Sequence, residues 1–497
     1  MPKILFISPT IIGETPITIA MLSAVAKEEG FETASCINTF ERPLEVEDFV
    51  NQAKGSDIVA ISMMTFEILF VYKIIKALKK AGFPVIAGGT HPTSLPEEVL
   101  EAGADAIIIG EGEDGLREVL RAYPNIPKGI IERKPRLDTA VLPLPDLEVF
   151  DQDLFKSDDG LIKGFHRIYT SRGCPGHCTF CDWQVFRQKF SGYPVDVVIN
   201  EMKRRRDEYG INSFTIADDC FTVDRDRAMR FCKKIKPLNM IWRANSRANL
   251  VDLELLKAMK DAGCHSMAFG IESGDPDTLR RTGKGVTLEE NIAAPTMAHE
   301  AGLEVYCCLM TGFPWEIPKH IQSQIDYMYK VWDKVSLFTV SGSIIPFPGS
   351  AIYKIYNKEY GFTKFWLKPK YQGFGIQVYQ NALNPLAVST FYHRYFFDDI
   401  YILKEYFFRY TPEYKKAVRK MIVEIGRHNL RFMFKGHPVR EKMAYLTGLA
   451  SMKLFDINPN IEMKIGGYLY GKFHKGSGRS AIEKVRDKRR GFVKHKC

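Results

Sequence analysis

Short, nearly continuous apolar runs at residues 3–8, 57–63, 84–88 and 105–110 alternate with stretches whose apolar positions recur at helical spacing. Runs of that kind fit strands buried on both faces, and their alternation with helices predicts a parallel, doubly wound α/β sheet. Such sheets hold ligands beyond the carboxyl ends of their strands. Those ends are marked here by Ser8, Pro9 and Thr10; by Ser62, Met63, Met64 and Thr65; by Gly88, Gly89, Thr90 and His91; and by Gly110, Glu111, Gly112 and Glu113. The glycines permit close backbone approach, and the hydroxyls and His91 supply hydrogen bonds. No G-x-G-x-x-G follows the first strand and the chain has no P-loop lysine, which argues against a dinucleotide fingerprint.

Beyond a linker carrying Pro143 and Pro145 the alternation of strand and helix resumes. Residues 214–222 read as a strand ending in Asp218 and Asp219, residues 241–247 as a second, and residues 266–274 as a third. Residues 305–310 lead into Gly312, Phe313 and Pro314, and residues 337–344 into the run from Pro346 to Ser350. Together they predict a partial α/β barrel with its functional groups collected at the strand carboxyl ends. Arg243, Asn245 and Arg247 alternate and therefore share one face of their strand. Asp218 and Asp219 point to opposite faces if their strand continues, so one of the pair faces the barrel cavity. The aromatic-dense stretch 391–410 and the helical patterns at 412–434 and 437–454 predict a helical cap over the open barrel, excluding water and shaping a substrate cavity.

A chain of 497 residues is too long for one ordinary core. The expected division is 1–130, a linker at 131–165, 166–350, and a mostly helical region at 351–497 ending in a basic tail. The net charge of +10 is unevenly placed, with 14 Lys and Arg against 22 Asp and Glu in residues 1–150 but 27 against 10 in residues 361–497. Such a basic region can meet an acidic protein or an anionic small molecule, or can be a solvated surface. Nucleic acid is not expected, because the aromatics are too contiguous to form a stacking platform. No run of 18 uncharged apolar residues occurs, so no transmembrane segment is predicted. No signal peptide is read at the N-terminus, and seven of the ten cysteines are scattered without disulfide spacing. A reducing cytoplasm is the expected compartment.

The other three cysteines, Cys174, Cys178 and Cys181, form a C-x3-C-x2-C triplet on a loop punctuated by Gly173, Pro175 and Gly176. Three thiolates so spaced can wrap one face of a [4Fe–4S] cluster and leave the fourth iron without a protein ligand. The paired C-x2-C sets of structural zinc sites are spaced differently, and no second pair follows.

The triplet, with Phe180 just before its last cysteine, resembles the cluster loop of the radical S-adenosylmethionine (SAM) superfamily. The Asp218-to-Thr222, Gly270-to-Gly274, Gly312-to-Pro314 and Pro346-to-Ser350 elements recur in that order in radical SAM enzymes with an N-terminal cobalamin-binding domain, and the resemblance spans residues 1–355 or so. It implies a Rossmann-like cobalamin domain, a partial radical SAM barrel, and three cofactors: a [4Fe–4S] cluster, SAM and cobalamin. It also implies a low-potential electron donor. Ser8 to Glu14 lacks the Asp-x-His-x-x-Gly motif whose histidine ligates cobalt in the mutase and methionine synthase type, and the resemblance to the radical SAM subgroup implies base-off cobalamin with no histidine below the metal.

By the same resemblance Phe180, Arg243, Asn245, Arg247, Glu272 and Ser273 are candidates for SAM, with a barrel salt bridge as the alternative for Glu272. Asp218 or Asp219 is the candidate catalytic carboxylate. Thr10, Ser62, Met64, Thr65, Gly88, Gly89, His91, Gly110, Glu111 and Gly112 are candidates for cobalamin, a structural turn histidine being the alternative for His91. The implied activity is methylation of an unactivated carbon through methylcobalamin and a 5'-deoxyadenosyl radical. A peptide or protein residue, as in methyl-coenzyme M reductase, is the leading substrate. Lipid or natural-product precursors and a non-methylating, porphyrin-type oxidative cyclase are the alternatives.

Overall fold

The computed structural model describes residues 1–9, 16–38, 44–65, 68–132, 134–135, 137–150, 165–186, 189–368 and 411–433. Thr10, the 391–410 stretch, the 437–454 segment expected to be helical and the basic tail lie outside the described residues.

The first sheet contains β1 (Lys3–Ser8), β2 (Glu32–Ile37), β3 (Ile58–Ser62), β4 (Val85–Gly88), β5 (Ala106–Ile108) and β6 (Gly129–Ile131), all parallel, in the order β2-β1-β3-β4-β5-β6. Ile58, Val59, Ala60 and Ile61 are all buried, as a strand covered on both faces requires. Helices α1 (Ile17–Glu28) and α6 (Gly112–Arg121) cover one face. Helices α2 (Val46–Ala53), α3 (Ile68–Lys80) and α5 (Pro96–Glu101) cover the other. Between β4 and α5 lies the one-turn α4 (Thr90–Ser94). The order reverses at β1 and β3, so the crevice at their carboxyl ends is the topological switch point where such sheets bind ligands. Strand β2 escaped the sequence pattern because it is an edge strand, with Glu32 exposed and Thr33, Ala34 and Ser35 only half-buried.

The second sheet contains β7 (Phe165–Ile168), β10 (Ser213–Ile216), β11 (Ile241–Arg247), β12 (Cys264–Glu272), β13 (Glu304–Thr311) and β14 (Leu337–Ser343). They are parallel in the order β14-β13-β12-β11-β10-β7, and β7 and β14 are its two edges. Its core is sealed by α7 (Val195–Tyr209), α8 (Arg225–Ile235), α9 (Leu253–Asp261), α11 (Leu288–Glu300) and α12 (Pro318–Lys330). Trp242, with Phe221 and Phe231 edge-on at 5.5 and 5.4 Å, fills the space beneath β11. Local signals fix the helix starts: Asp224 and Asp252 accept backbone N–H groups of α8 and α9, and Thr287 with Glu290 forms a capping box on α11.

Two findings modify the sequence expectations. Strand β10 ends at Ile216, so Asp218 and Asp219 belong to the loop beyond it. The helix Pro412–Met433 runs along the barrel flank, packing beside α12 and β14, where the expectation was a lid over the mouth. Asn429 closes the edge of β14, donating to Phe338 O at 2.8 Å and accepting from Phe338 N at 3.0 Å. A side-chain amide thus takes the backbone pair that an open edge would expose.

The segment leaving the barrel then turns back to the first sheet. After α13 (Ala351–Tyr360), Trp366 is buried in the core of the first domain and its indole N–H donates to Glu98 Oε1 at 2.9 Å.

Candidate functional site

The cysteine loop hangs from a short antiparallel hairpin, β8 (Ser171–Arg172) with β9 (Ser191–Gly192). Gly173 opens it in a left-handed conformation, φ +75°, and a Cβ there would lie 2.0 Å from Lys189 O. Asp218 fixes the approach to this hairpin. One carboxylate oxygen accepts Thr170 N at 2.6 Å and Ser171 N at 2.9 Å, and the other accepts both hydroxyls at 2.6 Å. Burial pushes the Asp218 carboxyl above its usual range, and the four donors oppose that shift. Its acceptor capacity is spent on the backbone N–H groups and hydroxyls of Thr170 and Ser171. The expectation that Asp218 is catalytic is therefore corrected: it is a buried strut. Asp219 is exposed, so it is the member of the pair left as the candidate carboxylate.

The free thiols Cys174 and Cys178 are half-buried and Cys181 is exposed. Arg247 reaches the loop from β11, with Nη1 3.6 Å from Cys178 Sγ and Nη2 donating to Lys284 O. Gly176 leaves room for it, since a Cβ there would stand 2.3 Å from Arg247 Nη1. Lost hydration pushes the Cys178 thiol up, and the Lys284 and Arg247 cations pull it back. Among the described residues no three His, Cys, Asp or Glu side chains converge on an ion-sized point. A cubane suits the triplet better than a lone zinc, because its separate irons take one thiolate each. The donor set fits the cluster.

Along β11 the side chains of Trp242, Ala244 and Ser246 are buried while Arg243 and Arg247 are half-buried and Asn245 is exposed, so the predicted triad shares the lumen face. Arg243 Nε donates to Thr215 Oγ1 on the neighbouring β10 at 2.7 Å. At the end of β12, Glu272 takes φ +62° where the strand register shifts, and Lys284 Nζ meets its Oε1 at 2.7 Å. Glu272 thus carries a salt bridge to Lys284, which joins the site although no sequence signal singled it out. Ser273 is fully buried and its hydroxyl accepts Asp275 N at 3.1 Å. It stabilises the turn, which corrects the expected SAM contact. Phe180 packs edge-on to Phe313 at 6.1 Å, joining the cysteine loop to the Gly312–Pro314 turn.

On the first sheet the strand-end loops lie at one edge. Gly89, φ +109°, passes so close to β3 that a Cβ would come within 2.7 Å of Met63 O. Gly110 N donates to Thr93 Oγ1 at 3.0 Å, and Gly112 opens α6. Ser62 is half-buried and Met64 is 42% exposed at the switch-point crevice. His91 is fully buried, one ring nitrogen 3.1 Å from Thr65 Oγ1 and the other 3.1 Å from Tyr72 Oη. Both nitrogens are engaged inside the fold, so His91 and Thr65 act as turn-holding residues, correcting their expected contact with cobalamin. A glycine-lined edge with Met64 exposed fits a broad planar corrin.

Arg172 was missed by the sequence reading as well. It spans the two domains, with Nη2 donating to Glu113 Oε1 at 2.6 Å and Nη1 to Glu111 Oε1 at 3.1 Å, all three side chains buried. The signal available was only its place beside Gly173 and Cys174.

The fold and this site together define an enzyme that brings an iron–sulfur loop against a corrin-binding sheet. Residues 168–327 match the radical SAM superfamily, and residues 14–120 match the B12 binding domain. An uncharacterized methyltransferase of Pyrococcus horikoshii is 31% identical over 372 residues, 69% of this chain and 79% of the relative. The anaerobic magnesium-protoporphyrin IX monomethyl ester cyclase of Cereibacter sphaeroides is 25% identical over 62% of this chain and 55% of its own. Among solved structures, the radical SAM methyltransferase TsrM from Kitasatospora setae shares the fold, with a TM-score of 0.62 at 17% identity over 73% of this chain and 77% of its own. The chain belongs to the cobalamin-dependent radical SAM enzymes. It is a radical SAM enzyme of the methyltransferase type, and its cofactors are a [4Fe–4S] cluster, SAM and cobalamin. No helix among the described residues is long and apolar enough to cross a membrane.

Proposed function

We propose that this enzyme methylates an unactivated carbon of a peptide or protein residue in a reducing, cytoplasmic compartment. When bound, the cofactors supply a SAM-derived radical that removes a substrate hydrogen and a methyl group carried by cobalamin. Cys174, Cys178 and Cys181 hold the cluster. Arg247 and the Lys284–Glu272 pair orient SAM beside it, and Asp219 stands at the rim. Ser62, Met64, Gly88, Gly89, Gly110 and Gly112 form the edge that receives the corrin.

The observation that carries the substrate class is the lumen face of β11. Arg243 and Asn245, in one row with Arg247, offer donors to carbonyl oxygens, which a peptide backbone supplies along its whole length. Among the described residues the second sheet keeps two separate edges, β7 and β14, as a partial barrel does. The porphyrin-type cyclase is the second reading, favoured by the similarity over 62% of the chain to the anaerobic cyclase.

The test compares peptides and small molecules from cells with and without the gene, followed by anaerobic reconstitution of the purified enzyme with the candidate substrate, SAM and a strong reductant. Loss of one methylated peptide in the deletion, restored in vitro, supports the proposal. A product formed without added methyl mass, or a methylated lipid or pigment with all peptides unchanged, overturns it.

A further inference from the structure

The cysteine loop is bonded to the first domain at both of its ends. Arg172 stands two residues before Cys174 and grips Glu113 and Glu111, which open α6 beyond β5. Asp182 directly follows Cys181 and accepts from Ser94 Oγ at 3.3 Å, at the end of α4 beyond β4. Each end of the loop is therefore joined to a different one of two adjacent strand-end loops on the corrin edge.

Arg172 is braced on both sides. On its own domain it pairs with β9, its guanidinium lies 5.7 Å from the Tyr193 ring centroid, and Asp218 clamps the two residues before it. Arg227 adds to this anchor by donating to the carbonyls of Thr170 and Tyr193. On the other side, Glu111 and Glu113 sit at the amino end of α6, where free N–H groups and the helix dipole favour carboxylates. Glu111 also accepts from Leu137 N of the linker at 3.3 Å. A planar guanidinium forked between two carboxylates fixes direction as well as distance, which an ammonium cannot do.

We propose that Arg172 is a positioning residue that sets the separation and orientation of the iron–sulfur loop relative to the corrin-binding edge, with the Ser94–Asp182 contact as a second brace. The inference rests on the family assignment and is independent of the substrate class. Transfer between two cofactors depends on their spacing, and a displacement of about 1 Å can cost on the order of a hundredfold in rate.

The test uses the full-length holoenzyme reduced to hold Co(II) and a paramagnetic cluster together, with pulsed EPR reading their distance distribution. Arg172→Met with Glu113→Gln removes one cation and one anion together, so the buried group keeps its net charge. Arg172→Lys keeps the cation and loses the fork. The double variant is expected to retain iron and cobalamin stoichiometry while its distance distribution broadens and its mean moves by about 1 Å or more. Arg172→Lys is expected to keep the mean and broaden the distribution. A wild-type distribution in the double variant overturns the proposal. So does loss of both cofactors in both variants, which would make the residue a support of folding alone. Failure of the wild-type protein to bind cobalamin would instead remove the family reading, and is seen before any variant is made.

Discussion

Lys284 Nζ stands 2.7 Å from Glu272 Oε1 in space kept open by Gly270, where a Cβ would come within 2.5 Å of the carboxylate and 2.7 Å of the ammonium. Both side chains are nearly buried, and breaking such a pair from one side leaves an uncompensated charge. Lys284→Met is expected to destabilise the protein by roughly 3–5 kcal/mol. Gly270→Ala is expected to keep the fold and weaken SAM binding, because the paired ends must shift. Thermal melts and SAM titration of the reconstituted protein check both.

The two adjacent carboxylates should separate cleanly. Asp218→Asn retains one acceptor oxygen for four donors and should cost on the order of 3 kcal/mol, with reduced iron content after reconstitution. Asp219→Asn is exposed and should change stability by less than about 0.5 kcal/mol. If Asp219 serves the reaction, product formation falls in that variant while iron content stays at the wild-type level.

Glu316 is buried beneath the Gly312–Pro314 turn. Its Oε2 accepts from Gly312 N at 2.7 Å, Phe313 N at 3.3 Å and Tyr414 Oη at 2.8 Å, and Oε1 has no hydrogen-bond partner among the described residues. Burial pushes its carboxyl up from 4.5 to about 7. The folded protein then holds a proton that the unfolded chain releases, so stability is highest below pH 4.5 for this group and declines as pH rises towards 7. The loss is on the order of 3 kcal/mol and levels off above pH 7. Glu316→Gln mimics the neutral form, and its melting temperature should vary less than wild type between pH 5 and 8.

Trp366 reaches across 268 residues of sequence to Glu98 and is buried in the core of the first domain. Trp366→Ala should cost roughly 3–5 kcal/mol. Hydrogen exchange should rise in α3 and α5 of the first domain and leave α8 and α9 of the barrel unchanged.

Strands β1, β3, β4 and β5 were legible because both of their faces are buried and the pattern is continuous. The cysteine triplet was legible because spacing alone constrains it. The alternation of Arg243, Asn245 and Arg247 correctly gave a shared face. His91 and Thr65 misled because a glycine-rich strand end with hydroxyls looks the same whether its side chains point to a ligand or lock the turn. Asp218 misled for a related reason: only the structure brings Thr170 and Ser171 to it from 48 and 47 residues away. Arg172, Lys284 and Trp366 act through partners distant in sequence, and no local pattern carries such a pairing.

The return of Trp366 to the first domain also bears on how the chain is made. Synthesis delivers the corrin-binding sheet first, but one of its two cores stays short of a large aromatic until the whole barrel has been translated. Domains that emerge early fold as units before later ones appear. Here the early unit is finished by the late one, so the nascent chain carries an apolar notch that only its own later segment fills.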